Sequence, residues 1–284
     1  MEQKLKVGVL GATGMVGQRF VTLLENHPWF ELVAVAASPR SAGKTYEEAV
    51  GGRWKMKTPM PEAAKKLVVL NVNQVEEVAA QVDFVFSAVD MSKDEIRAIE
   101  EAYAKAEVPV VSNNSAHRWT PDVPMMVPEL NPEHAEIIPY QRKRLGTKRG
   151  FIAVKPNCSI QSYTPALHAL REFEPTLVVA TTYQAISGAG KTFKDWPEMI
   201  DNVIPYIAGE EEKSEQEPLR IWGKIEDGVI KKAEGPLITT QCIRVPVEDG
   251  HTAAVFVNFK KKPTKEEIID RWNNFSGEPQ KLNL

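Results

Sequence analysis

The 284-residue sequence has only two cysteines, Cys158 and Cys242, no CxxC pair, no long apolar run and no dominant sign of charge. Two cysteines cannot build a disulfide framework, and without paired spacing they do not suggest a metal site; they suit a reducing compartment. No stretch approaches the ~18 apolar residues that a spanning helix needs, so no membrane association is expected. Met1-Glu2-Gln3-Lys4 leads straight into an apolar strand without a signal-peptide core, which makes a cytoplasmic location the expectation. Lys and Arg number 35 against 38 Asp and Glu, a net charge of −3. That balance offers no general attraction to nucleic acid or anionic lipid. The one basic cluster, 141–144 with Lys148 and Arg149, reads as a solvated surface. Internal repeats and low-complexity segments are lacking too.

What is present is an ordinary globular composition, 43% hydrophobic and 26% charged, in a chain long enough for about two domains. Leu5 to Leu10 reads as a buried strand that enters Gly11-Ala12-Thr13-Gly14-Met15-Val16-Gly17 and then an amphipathic helix to about Asn26. Leu32 to Ala37, Asp83 to Ala88 and Val108 to Ser112 repeat the apolar-strand pattern, with a helix over Lys93 to Lys105. Near-continuous apolar strands alternating with helices predict a Rossmann-like, doubly wound parallel sheet. After Val154 the texture changes. Ile160 to Glu172 reads as helix, Leu177 to Ala185 as strand, and Leu237 to Val245 and Thr252 to Phe259 as two strands about a turn at Glu248-Asp249-Gly250. With a helix over Thr264 to Phe275, this predicts an α+β second domain on a mostly antiparallel sheet. The expected division is 1–157 for cofactor binding and 158–284 for catalysis and dimerisation.

A GxxGxxG at a strand-to-helix turn has a physical logic: glycines let the backbone approach a pyrophosphate, which then sits on free N–H groups at the helix N-terminus. Cofactor contacts are therefore expected at Gly11, Thr13, Gly14, Met15, Val16 and Gly17. An NAD site usually carries an acidic residue at the end of the second strand. This chain has Ser38-Pro39-Arg40-Ser41 there instead, hydroxyls and a guanidinium that suit the 2′-phosphate of NADP.

Cys158, in Lys155-Pro156-Asn157-Cys158-Ser159, falls at a predicted strand–helix junction, where a helix dipole would favour a thiolate nucleophile. Cys242, inside a strand, reads as a small buried hydrophobe. Gln184 lies in Tyr183-Gln184-Ala185-Ile186-Ser187-Gly188-Ala189-Gly190, an acidic run begins at Glu210, and Arg244 precedes His251 by seven positions. A turn at 248–250 would present His251 as an acid/base near neutral pH, and Arg244 could clamp a carboxylate. His27, His117, His134 and His168 are scattered and none is assigned to catalysis or a metal.

Together these pieces resemble the aspartate-β-semialdehyde dehydrogenase family, in the branch common in archaea, fungi and some bacteria. The matching stretches are GATGMVGQRF, SPRSAGK, SNNSAHRW, VPELNP, KPNCSIQ, TYQAISGAG, GEEEK and CIRVPVEDGH, spread along the whole chain. The resemblance implies an NADP-dependent, reversible conversion of L-aspartate 4-semialdehyde and phosphate to aspartyl phosphate, in lysine, threonine and methionine biosynthesis. It implies Cys158 as nucleophile, His251 as acid/base and Gln184 as the residue that positions the intermediate. Arg244 and Glu210 would hold the substrate's carboxylate and amino group, Arg118 and Lys213 would bind phosphate, and Asn157 would support the cysteine. Ser38, Arg40, Ser41, Ser87 and Gly188 complete the implied cofactor set. No metal is implied, and the oligomer would be a homodimer or homotetramer joined through the second domain. Chains of that family continue past the position of Leu284 with a strand, a cofactor-contacting Asn and a final helix. A chain ending at Leu284 would be expected to fold and bind cofactor less well. Competing readings are malonyl-CoA reductase, N-acetyl-γ-glutamyl-phosphate reductase and a non-catalytic NADP sensor. The Glu210-x-x-Lys213 pair argues against the first two, which have no ammonium to bind, and the presence of both Cys158 and His251 argues against the third.

Overall fold

The computed structural model describes residues 3–284. Two compact units share the chain: the first runs to Pro124 and includes Glu136–Lys155, and the second comprises Met125–Ala135 and Pro156–Leu284. The division falls between Lys155 and Pro156, and the 125–135 excursion has no counterpart in the sequence-based boundary. Asn131 explains the excursion. Its side chain bonds the Val127 amide, the Met125 carbonyl and His134 Nδ1, and His134 Nε2 reaches the Gly223 carbonyl at 3.1 Å.

The first unit is built on a six-stranded sheet of β1 (Leu5–Leu10), β2 (Phe30–Ala37), β3 (Val69–Asn71), β4 (Phe84–Ser87), β5 (Val110–Ser112) and β6 (Ile152–Val154). The strands are all parallel, in the order β3-β2-β1-β4-β5-β6. This is the doubly wound Rossmann order, whose direction reverses between β1 and β4 and opens a crevice at their C-terminal ends. Val7, Val9, Val35, Ala37 and Val69 are buried in one core with Tyr46. Residues covered on both faces explain why these strands read as continuous apolar runs. The helix Lys93–Lys105 starts at a Ser92–Glu95 capping box, as its S-x-x-E spacing dictates.

The second unit centres on three strands, β7 (Pro175–Gln184), β10 (Leu237–Arg244) and β11 (Thr252–Phe259), with a separate antiparallel pair, β8 (Lys224–Glu226) and β9 (Val229–Lys231). The sheet is mixed: β7 lies in the centre, parallel to β10 and antiparallel to β11. The two strands expected to flank a hairpin turn are therefore not partners. The 245–251 connection instead crosses the end of β7, bonding Ile186 and Ser187 through the Val247 and Glu248 carbonyls. This crossing places Arg244 opposite Gln184 and Thr252 opposite Tyr183.

The helix Glu210–Ile221 packs on β10 through Thr240, whose amide bonds Glu215 and whose hydroxyl bonds the Glu211 carbonyl. Pro218 sits inside that helix and has no N–H for the Ser214 carbonyl four residues back. The buried Tyr163 hydroxyl takes that place, donating to Ser214 O at 2.7 Å. The compensation ties the segment after Cys158 to the helix that carries Glu210 and Lys213.

Candidate functional site

Two sets of predicted residues gather, one in each unit. In the first, Gly11, Thr13, Gly14 and Ser38 line a cleft at the ends of β1, β2 and β4, together with Arg53, Ala88, Val89, Asp90 and Met91. Gly11 has φ +77, and a Cβ there would lie 2.3 Å from the Ala88 carbonyl. A Cβ on Gly17 would meet Gly11 O at 2.2 Å, so that glycine lets the helix Met15–Leu23 pack against the turn. Gly14 differs: its Cβ would meet nothing nearer than 3.5 Å. Packing does not demand that glycine, but a ligand lying against the backbone would. The helix starts at Gly14 with no side-chain cap among the described residues, leaving its first amides to a ligand. Val16 is exposed at this end. These features fit a dinucleotide pyrophosphate. Ser38 lines the cleft, while Arg40 and Ser41 continue the turn beyond it, with the Ser41 amide on Ser38 O. Arg53, at the cleft wall, is a cation that sequence reasoning overlooked, because nothing in its Gly-Gly-Arg context signals a ligand.

Ser87 was expected at the cofactor, yet its side chain is buried and donates to Glu100 Oε1 at 2.7 Å. Ser112 and Asn114 donate to the same oxygen. Ser87 ends β4 with its hydroxyl on the Glu100 carboxylate of the helix Lys93–Lys105.

In the second unit, Cys158 is exposed and its Sγ lies 3.2 Å from His251 Nε2. His251 is held from behind by the Ala185 amide, which donates to Nδ1 at 3.0 Å. The Ala185 carbonyl accepts from Arg244 Nη1 at 2.7 Å. One peptide segment therefore orients both groups. Gly188 closes the arrangement: a Cβ there would lie 2.9 Å from Arg244 Nη1 and 3.0 Å from His251 Cε1. Gly188, expected at the cofactor, also lies against these two side chains, which would have to give way to a Cβ.

Asn157 is buried beside the cysteine and fully engaged. Its amide donates to Glu217 Oε2 at 2.6 Å, its Oδ1 accepts from Ser159, and its Nδ2 donates to Glu210 Oε2 at 2.9 Å. Glu210 also takes Lys213 Nζ at 2.7 Å and Gln184 Nε2 at 3.4 Å. Burial pushes the Glu210 carboxyl up, but the hydrogen bonds from Lys213 and Asn157 and the Lys213 charge outweigh it, and the net direction is down. The carboxylate is thus held ionised. Burial lowers the Arg244 guanidinium, while the nearby Glu210 and Cys158 oppose that shift. A cation and an anion flank the Cys158–His251 pair, which is the charge pattern that reads a zwitterion.

Two family models match the chain, "Semialdehyde dehydrogenase, NAD binding domain" over residues 6–138 and "Semialdehyde dehydrogenase, dimerisation domain" over 166–282. The aspartate-semialdehyde dehydrogenase of Methanothermobacter thermautotrophicus is 41% identical over 281 residues, covering 99% of this chain and 78% of that protein. That of Aspergillus fumigatus is 42% identical over 285 residues, covering 98% and 77%. The chain belongs to the aspartate-semialdehyde dehydrogenase family. A crystal structure of the Candida albicans aspartate semialdehyde dehydrogenase with NADP superposes with a TM-score of 0.85 at 36% identity, covering 99% of this chain and 79% of that one.

Within this family member, Asn157, Cys158, Gln184, Glu210, Lys213, Arg244 and His251 share the second unit, whereas Arg118 belongs to the first. Arg118 is buried and its Nε donates to the Lys155 carbonyl at 3.0 Å. Cys158 departs from its expected setting. It precedes a four-residue 3₁₀ turn, Ser159–Ser162, and not an α-helix, because Pro165 restarts the helix at Thr164–His168. The Cys158 sulfur instead meets His251 Nε2 at 3.2 Å. Cys242 is buried in β10, with Ser214 Oγ 3.6 Å away. Among the described residues no helix is long and apolar enough to cross a membrane, and no cluster of His, Cys, Asp and Glu could hold a metal ion. Sequence reasoning missed Ala185 and Glu217. Ala185 acts through its backbone, which leaves no residue-type signal, and Glu217 is one glutamate among many.

Proposed function

We propose that this chain catalyses the reversible, NADP-dependent conversion of L-aspartate 4-semialdehyde and phosphate to L-4-aspartyl phosphate. The observation that carries the reading is the 3.2 Å approach of Cys158 Sγ to His251 Nε2 near the sheet end that pairs Arg244 with Gln184, with Glu210 bonded to Gln184. Cys158 attacks the aldehyde carbon to form a thiohemiacetal, and the oxygen so formed falls to His251. NADP, held by Gly11, Thr13, Gly14 and Ser38, would supply the hydride acceptor for that carbon when bound. Phosphate then cleaves the thioester and frees the sulfur. Arg244 holds the substrate carboxylate and Glu210 its ammonium, with Gln184 beside them. Arg118 and Lys213 supply the cations for phosphate, separate from the one committed to the carboxylate. Gly11, Thr13, Gly14 and Ser38 support the cofactor, joined by Arg53.

The protein is proposed to work in the cytoplasm, in biosynthesis of lysine, threonine and methionine, as a homodimer or homotetramer. Support for self-association comes from one face of the three-stranded sheet. Val179, Tyr183, Leu237 and Phe256 share that face by register and stay exposed, Phe256 by 61%. Val179 and Phe256 are direct neighbours across β7 and β11, and exposed apolar groups gathered on one sheet face mark an interaction surface.

The test is absorbance at 340 nm with L-aspartate 4-semialdehyde and NADP, with and without phosphate, beside Cys158→Ser. Phosphate-dependent NADPH formation that disappears in the variant is expected. Equal rates for the two proteins would remove Cys158 from the mechanism.

A further inference from the structure

Residues four and seven apart on an α-helix share a face. Glu210, Ser214 and Glu217 stand at those spacings on the helix Glu210–Ile221, and all three meet the segment around Cys158. Glu217 Oε2 accepts the Asn157 amide at 2.6 Å. Glu210 Oε2 accepts Asn157 Nδ2 at 2.9 Å, and Ser214 Oγ lies 3.3 Å from Ser159 Oγ. The residues on either side of the cysteine are thus pinned to one helix. Asn157 Oδ1 closes the turn across it by accepting the Ser159 amide at 2.8 Å. Cys158 itself sits unstrained at φ −67 and ψ −35, with its sulfur 3.2 Å from His251 Nε2. Ser214 is 0% and Glu217 1% exposed, so neither can touch a substrate. A glutamate that deep is held by its partners, and the proposed chemistry gives this one no part.

We infer that Glu217 is a positioning residue that, with Ser214, sets the Cys158 sulfur against His251 by holding the Asn157 amide. The consequence for turnover rests on the dehydrogenase reading; the placement of the sulfur does not. An amide on a buried carboxylate makes a charge-assisted hydrogen bond, and loss of the acceptor would leave a buried N–H unpaired. Turning the Pro156–Asn157 peptide outward would give that N–H to water and carry the next residue, Cys158, away from His251. A carboxylate has four lone-pair sites, so the role asks only that one oxygen accept this amide, and the other contacts of Glu217 leave it intact. Reach matters here more than charge: the oxygen must stand where the amide points. Misplacement of a reacting group by about 1 Å can cost 10²-fold in rate. Glu210, proposed to bind the substrate ammonium, takes the Asn157 side chain on the same face, so nucleophile and substrate site share one support.

Two substitutions separate reach from charge. Glu217→Gln keeps an acceptor oxygen at the same distance without the charge, whereas Glu217→Asp keeps the charge and withdraws the oxygen by one C–C bond, about 1.5 Å. The first readout is alkylation of Cys158 by iodoacetamide at pH 7.5, with Cys158→Ser as the blank, since Cys242 is buried. Glu217→Gln should react within about threefold of the unsubstituted protein and Glu217→Asp about tenfold or more slowly. The reverse order would assign the effect to charge, and equal rates in all three would leave Glu217 to stability alone; either overturns the inference. Ser214→Ala removes only the tie at Ser159 and should slow alkylation about threefold, which keeps the test open if Glu217→Asp does not fold. An unchanged rate there removes the helix face from the placement of the sulfur. The second readout is the initial rate of NADPH formation. Glu217→Asp should lower kcat about 10–100-fold and leave KM for the aldehyde within about threefold, because Arg244 and Gln184 come from the sheet. A loss confined to KM overturns the positioning role. No NADPH from the unsubstituted protein would instead sink the dehydrogenase reading, while the order of alkylation rates still decides the placement.

Discussion

Lys213 Nζ lies 2.7 Å from Glu210 Oε1, an ion pair between two side chains that are proposed to bind different parts of the reaction mixture. On the proposed function, an incoming substrate ammonium would compete for the Glu210 carboxylate and release Lys213 toward phosphate. Glu210→Gln should lower kcat/KM for the aldehyde by about 10–100-fold, the scale of a charge-assisted hydrogen bond of 1.5–3 kcal/mol. The coupling is checked by a double-mutant cycle with Lys213→Met. Strictly additive losses would show that the pair does not link the two substrates.

Gly14 and Gly17 should separate cofactor binding from stability. Gly17→Ala drives a Cβ to 2.2 Å from Gly11 O, so it should cost about 1–3 kcal/mol and several degrees in Tm. Gly14→Ala meets nothing closer than 3.5 Å, so Tm should hold while NADPH affinity falls about tenfold or more. Thermal melts and NADPH fluorescence titration measure the two effects. A Gly14→Ala protein that binds NADPH normally would place the pyrophosphate elsewhere.

Gly188→Ala pushes on Arg244 and His251 together, its Cβ at 2.9 and 3.0 Å from them. Gly188 itself is exposed, so unfolding should be little changed. A loss of tenfold or more in kcat/KM is expected, roughly 1.4 kcal/mol or above. Unaltered kinetics would mean that the loop relaxes freely and does not define the site.

Three histidines give a pH dependence to stability. Burial holds His117, His134 and His168 below their ordinary value of 6.5, since each is easier to leave neutral inside the fold. The unfolded chain therefore binds more protons just below pH 6.5. Their contribution is fully present above that pH and declines as the pH falls toward the folded values. Urea midpoints measured from pH 7.5 to 5 should fall, and His134→Gln should flatten part of the slope. An unchanged slope in that variant would acquit His134.

Phe256→Glu puts a charge on the exposed sheet face without touching the Cys158 cluster. If the proposed self-association uses this face, the variant should run as a monomer in light scattering after size exclusion while the unsubstituted protein runs as an oligomer. A variant that keeps the oligomer would assign association to another surface.

Much of this was legible in the sequence because it depends on local chemistry. The apolar strands β1, β2, β4 and β5, the glycine turn and the helix Lys93–Lys105 each follow from a few neighbouring residues, and each appears within a few residues of where the pattern sets it. The identities of Cys158, His251, Arg244, Gln184 and Glu210 were equally readable, since their residue types and motif order carry the chemistry. Three features were not. The pairing of β7 with both β10 and β11 is non-local, and alternation along a strand does not name its neighbours. The side of β4 on which Ser87 falls depends on which face the Glu100 helix covers. The placement of His251 depends on an amide 66 residues away in the chain, which any residue but proline would supply. Sequence by itself determined which groups take part; only the tertiary structure decided which way they face, because hydrogen-bond direction is set by the backbone that folding brings alongside.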